Sequence, residues 1–149
     1  MVKDMDFDIE ERAQQAIDNF NAGYNCAQSV FLTYYDLLGL DLETAKCMSV
    51  SFGGGMGRMR EVCGTISAMC MLAGFRYPVV DPKDQEARTR NYGMVQKMPA
   101  SSKRSMALSY AEICFRPQLP PNGTQLLPYA LLSIMRNARV EGMWPKPHA

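Results

Sequence analysis

Residues 52–64 read FGGGMGRMREVCG, from Phe52 through Cys63 to Gly64, and the reading of this stretch organises the chain on either side. Gly53, Gly54, Gly55 and Gly57 are too many glycines for a helix interior, so they end one element and separate it from the next. Upstream, Asp41 starts a helix that runs to about Val50. Downstream, a helix is expected from near Glu61 to Ala73, with Gly74 as its stop. Cys63 then sits in the first turn of that helix. Amide N–H groups at a helix start stabilise a thiolate, and Arg58 and Arg60 lie just upstream. Gly64, immediately after, permits close approach of a ligand or of another helix. The loop lacks the Gly-Lys-Ser/Thr ending of a phosphate-binding loop and no strand pattern precedes it, so nucleotide binding is not expected.

Working outward, residues 8–22 show an amphipathic helical pattern. Ile9, Ala13, Ala16, Ile17 and Phe20 lie on one face, Glu10, Glu11 and Arg12 are expected outward, and Gly23 is the cap. Asn25 caps a second helix from Cys26 to about Leu38, whose apolar face holds Val30, Phe31, Tyr34, Leu37 and Leu38. Pro78 and Pro82 mark a loop, and a polar fifth helix covers about 83–97. No run alternates as a strand does. The fold class expected is all-α, a small bundle of four or five helices with an irregular C-terminal tail.

Length and composition agree with one ordinary domain. The chain has 149 residues, 47% hydrophobic and 21% charged, with a net charge of +1. That charge gives no footprint for nucleic acid. No apolar run reaches membrane-spanning length, so the protein is not expected to be transmembrane. The acidic stretch from Met1 to Glu11 lacks the apolar region of a secretory signal. A cytoplasmic, reducing setting follows, in which five cysteines are thiols or metal ligands rather than a disulfide framework.

Cys26 also sits at a helix start, after a Gly-Tyr-Asn turn, and two antiparallel helices can bring it to Cys63. Cys70 lies two helical turns beyond Cys63, and Cys47 lies mid-helix; for both, core packing is the expected role. Met56, Met59, Met69 and Met71 offer soft-metal ligands, but methionines at helical spacing are usually gap-fillers. His148 is the single histidine, close to the C-terminus.

The segments from Gly23 through Cys26 to Gln28, GYNCAQ, and from Phe52 to Gly64 resemble the C_GCAxxG_C_C family of redox-active helical proteins over roughly residues 10–97. The resemblance implies that Cys26 and Cys63 are the first two of four family cysteines. It makes them the reacting thiols or metal ligands, with Gly64 lining the site. The motif's Cys-Gly-Ala-x-x-Gly reads Cys-Gly-Thr-Ile-Ser-Ala here, so Thr65 and Ala68 depart from it. Four thiolates suit an iron–sulfur cluster, another metal or a pair of dithiols. The resemblance also implies a bacterial protein with an unidentified redox partner or a transporter-associated protein as its partner, and leaves homo-oligomer formation open.

The family's third and fourth cysteine segments, N-G-S-x-x-C-R-E-L-L and R-P-C, are not visible. From Pro99 the character of the chain changes. Seven of nine prolines and a net charge of +4 fall in residues 99–149, which leaves −3 for residues 1–98. Taking the third base of each codon as the first base of a new one, Met106-Ala107 forces Gly and Tyr110-Ala111 gives Cys or Arg. Residues 105–115 then permit N-G-S-V-I-C-R-D-L-L, and residues 133–147 permit Y-Y-A-K-R-P-C. Both missing segments return in order in one frame. The expectation is a helical cysteine-containing domain over 1–98 and a frameshifted, non-native, proline-rich tail over 99–149. Function would then be that of a redox-active or metal-binding protein, impaired by loss of two cysteines. The alternative is a non-catalytic helical partner-binding module with structural cysteines.

Overall fold

The Asp8 carboxylate accepts a hydrogen bond from the Glu10 amide and starts α1 (Ile9–Asn21). This is the first helix of a computed structural model that describes residues 8–100. There follow α2 (Cys26–Phe31), α3 (Tyr35–Leu38), α4 (Leu42–Val50), α5 (Gly53–Met56), α6 (Gly64–Arg76) and α7 (Gln85–Ala100). Four of these, α1, α4, α6 and α7, have nine residues or more; the others are one or two turns. Among the described residues there is no strand, and no helix is long and apolar enough to cross a membrane. The fold class is all-α, and the expectations for residues 101–149 lie outside the described residues.

The expected helix over 26–38 is broken at Thr33 and Tyr34. The Thr33 hydroxyl donates back to the Ser29 carbonyl at 2.8 Å, a bond that bends helices, and the Thr33 and Tyr34 amides donate to carbonyls only three residues back. The Thr33 carbonyl, released from the ladder, accepts from Arg12. Arg12 is therefore not the outward residue the periodicity suggests. Its guanidinium forms a two-point pair with Asp36, at 2.9 and 2.8 Å, and lies over the Tyr34 ring. Periodicity alone cannot see a charge recruited across a helix break.

The expected apolar face survives the break: Val30, Phe31, Tyr34, Leu37 and Leu38 are all buried. So are Ala13 and Ala16 of α1, and Met69 and Leu72 of α6. α2 is the central element, packed principally against α6 and flanked by α1 and α4, while α7 lies on α6. The α6 helix begins three residues later than expected and passes through Gly74 to Arg76. Its start is delayed because Arg58 and Arg60 adopt left-handed backbone (φ 67° and 63°) that no helix accommodates. Its end is held by Asn91 of α7, whose Nδ2 donates to the carbonyls of Ala73 and Tyr77.

Partial burial alone would raise the Asp36 pKa, but the hydrogen bond and charge of Arg12 outweigh it and hold the carboxyl below its ordinary value. The pair's contribution is thus present at neutral pH and lost as the pH falls through that lowered value. Arg12→Ala is expected to cost about 1–2 kcal/mol, modest because Asp36 is largely solvated. It should also narrow the stability difference between about pH 7 and about pH 3 in urea unfolding. An unchanged difference would remove the pair from the account.

Candidate dithiol site

The start of α2 is held by its own motif. Asn25 and Gln28 form a reciprocal cap. The Asn25 side chain accepts from the Gln28 amide at 2.9 Å, and the Gln28 side chain accepts from the Asn25 amide at 3.3 Å. The same two side chains reach α4, with Asn25 Nδ2 donating to the Val50 carbonyl and Gln28 Nε2 to the Lys46 carbonyl. The spacing Asn-x-x-Gln is the sequence signal for the cap; the bonds to α4 have none.

Two glycines grip that helix start. A Cβ on Gly53 would lie 2.5 Å from the Asn25 side chain. A Cβ on Gly64 would lie 2.6 Å from Cys26 Sγ, 2.8 Å from the Phe52 carbonyl oxygen and 3.0 Å from the Ala27 amide nitrogen. The Cys26 thiol therefore fills the notch that Gly64 leaves by having no side chain. Gly64 is the first residue of α6 and Cys63 its N-cap, so the starts of α2 and α6 abut and each carries a cysteine at its entry. Cys63 caps the helix rather than sitting inside its first turn, because residues 58–62 are irregular and the helix starts three residues late. It is 7% exposed, Gly64 is buried, and Cys26 is half-buried.

The chain reaches Cys63 through a run of left-handed residues. Gly54, Gly55 and Gly57 accept such backbone freely, but Met56 (φ 61°), Arg58 and Arg60 do not, and each costs about 1 kcal/mol or more. Backbone held this way persists where its surroundings demand it, and here it closes the connection between α5 and α6. The first turn of α6 has no side-chain cap and no acidic residue. Thr65, in that turn, is fully buried and its hydroxyl has no hydrogen-bond partner among the described residues, at a cost of about 1–3 kcal/mol. Periodicity gives no hint of this hydroxyl.

The other described cysteines separate from this pair. Burial pushes the Cys70 thiol pKa up, which keeps it protonated and unreactive among its core neighbours. Cys47 is exposed, contrary to the expectation of core packing, because α4 turns Ala45 and Ser49 inward and Cys47 falls between them on the other side. The methionines also disperse, with Met69 in the core, Met59 exposed and Met71 lining an apolar hollow. Among the described residues no three His, Cys, Asp or Glu side chains are grouped to hold a metal ion.

Fold and site together define a class: an all-helical protein with a cysteine at the entry of each of two abutting helix starts. Residues 24–112 match the model of the family described as "Putative redox-active protein (C_GCAxxG_C_C)", and the chain belongs to that family. No curated protein and no solved structure matches it.

Gly64→Ala should destabilise the protein by about 1–3 kcal/mol, because the new methyl overlaps both Cys26 and the Phe52 carbonyl. Adding Cys26→Gly should recover part of that loss, since only the thiol clash is removed. Independent, additive effects in chemical denaturation would show that the two residues do not share the notch.

Proposed function

We propose that this is a thiol redox protein in which Cys26 and Cys63 act as one dithiol. The observation that carries the reading is the seating of Cys26 Sγ against Gly64, the residue next to Cys63. Two cysteines that close a disulfide need Cα atoms within about 7 Å, and abutting helix starts supply that order of proximity. In the reaction two thiols become one disulfide, giving two electrons and two protons to an acceptor. The first-turn amides of α6, which no side chain caps, lie beside its N-cap cysteine. The reading carries with it a cytoplasmic setting and an unidentified redox partner or transporter-associated protein.

Mild oxidation of the full chain with diamide, followed by proteolysis without reduction, should yield a Cys26–Cys63 linked peptide that Cys26→Ser abolishes. A Cys63 that pairs instead with Cys47 or Cys70, or with nothing, would overturn the assignment.

An iron–sulfur cluster needs four thiolates, and Cys26 with Cys63 supplies two. The described residues therefore do not fit a cluster. The proposal confines that chemistry to a chain read in the alternative frame beyond about Met98, where two further cysteines become available, and makes the present chain an impaired member of its family. Anaerobic addition of iron and sulfide should give visible absorbance with the frame-restored protein and none with the present chain. Equal absorbance from both would contradict the frameshift account.

The rival reading, a partner-binding module with structural cysteines, has one feature in its favour. An apolar hollow of about 400 Å³ opens between α4 and the end of α6, lined by Met48, Met71, Phe75 and Val80 among others. It lies at the C-terminal end of α6, whereas the two cysteines lie at its start.

A further inference from the structure

The chain that joins α5 to α6 carries a surface that the dithiol reading leaves unused. Its ends are fixed beside both cysteines. Gly53 packs on the side chain of Asn25, the residue before Cys26, and Val62 is the residue before Cys63. Between them the Arg58 amide donates to the Gly53 carbonyl and the Glu61 amide to the Gly55 carbonyl, which folds the segment back on itself. Every residue from Met56 to Val62 is exposed, Met59 by 68% and Val62 by 47%. Val50, whose carbonyl accepts from Asn25, is exposed beside them. Met56, Arg58 and Arg60 hold left-handed backbone that glycine would adopt without strain. None of these three side chains is buried, so the core does not require them. Strain of this kind gathers where side chains are presented to a ligand or partner, and Met and Arg are residue types that interfaces favour. The charge of the chain is also divided. Residues 44–80 hold Lys46, Arg58, Arg60 and Arg76 against the single acid Glu61, whereas residues 1–43 hold nine acids and two bases. Two exposed arginines are too few to hold so acidic a chain on an anionic membrane, but they suit the acidic rim of a protein surface.

The geometry points to residues 56–62 as the docking surface for a protein dithiol whose reactive cysteines lie beside an apolar patch rimmed by Asp and Glu. This rests on the dithiol reading and supplies the donor that returns the disulfide to two thiols. Met59 and Val62 give the apolar contact, and Arg58 and Arg60 meet the carboxylates. Cys63 is 7% exposed and Cys26 half-buried, so the partner's thiolate attacks Cys26 Sγ. The S–S bond between the partner and Cys26 forms as the Cys26–Cys63 bond breaks, and Cys63 leaves with the bonding electron pair as a thiolate. The partner's second thiolate then attacks the partner's first sulfur. The partner's own disulfide forms, and Cys26 leaves as a thiolate. The two protons given up by the partner's thiols pass through solvent to Cys26 and Cys63. Overall, one disulfide and one protein dithiol give one dithiol and one protein disulfide.

The test uses the full chain oxidised with diamide, then reduced either by a purified thioredoxin of negative net charge or by dithiothreitol. Loss of the Cys26–Cys63 disulfide is followed by alkylation and mass spectrometry. At about 50 mM NaCl thioredoxin should act at least about tenfold faster than dithiothreitol at equal concentration. The double variant Arg58→Gly, Arg60→Gly removes both charges and the backbone strain, so it should melt no lower than the wild type. It should slow thioredoxin by about tenfold and leave dithiothreitol within about threefold. Raising NaCl to about 500 mM should bring the wild-type thioredoxin rate down to that of the variant. Met59 has ordinary backbone and is 68% exposed, so Met59→Ser should fold whatever the arginines do, and should slow thioredoxin while leaving its salt dependence in place. Thioredoxin no faster than dithiothreitol overturns the inference, as do equal thioredoxin rates in wild type and variants, or a parallel slowing of both reductants, which means a structural role. Binding of the wild type to phosphatidylcholine vesicles containing phosphatidylglycerol, lost in the double variant while thioredoxin rates stay equal, also overturns it and assigns the surface to a membrane. Failure of the dithiol reading is distinguishable, because diamide would then give no Cys26–Cys63 disulfide, whereas failure of the docking inference alone leaves a disulfide whose reduction ignores residues 56–62.

Discussion

The contact on which the rest of the structure depends is the seating of the Cys26 thiol in the notch left by Gly64. A side chain at residue 64 would meet sulfur on one side and backbone on two others, so glycine is required by space rather than by dihedral angle. Once Gly64 permits the approach, α2 can lie across α6 at close range, and Val30, Phe31, Met69 and Leu72 are buried in consequence. The same contact that builds the core also brings a cysteine from each helix to one place. Core packing and the placement of the two cysteines are therefore coupled: a change that loosens the crossing separates the helix starts.

A second set of constraints fixes where α2 begins and ends. Asn25 and Gln28 bind its start to α4 through backbone carbonyls, and Gly53 presses on Asn25 from the other side. Its end is fixed by Thr33, whose hydroxyl folds back to Ser29, and by Arg12, which takes the released carbonyl. A helix of six residues has little stability of its own. These tertiary anchors hold it, and they explain how so short an element can occupy the centre of the fold.

Much of this was legible in the sequence, for identifiable reasons. Apolar residues at helical spacing located α1 and the buried face from Val30 to Leu38, and Asn25 and Asp41 announced the starts of α2 and α4 as caps. The family motif placed weight on Cys26, Cys63 and Gly64, and the structure sets the helix starts that carry them together. What escaped depends on contacts between distant segments. The break at Thr33 needs Arg12 from another helix, the inward turn of Gln28 needs the carbonyls of α4, and the late start of α6 needs arginines in left-handed backbone. Cys47 was misplaced because α4 is short and only weakly amphipathic, so its inward face could not be chosen from pattern alone. The orphaned Thr65 hydroxyl has no sequence signature except its departure from the motif.

The central claim is spatial, that in the reduced protein Cys26 packs directly on Gly64, and proton NMR addresses it without any assumption about function. The account predicts strong nuclear Overhauser effects between the Cys26 β-protons and the Gly64 α-protons in the reduced full-length chain. Absence of those cross-peaks, with Gly64 showing contacts to other residues instead, would contradict the crossing and with it the pairing of Cys26 and Cys63.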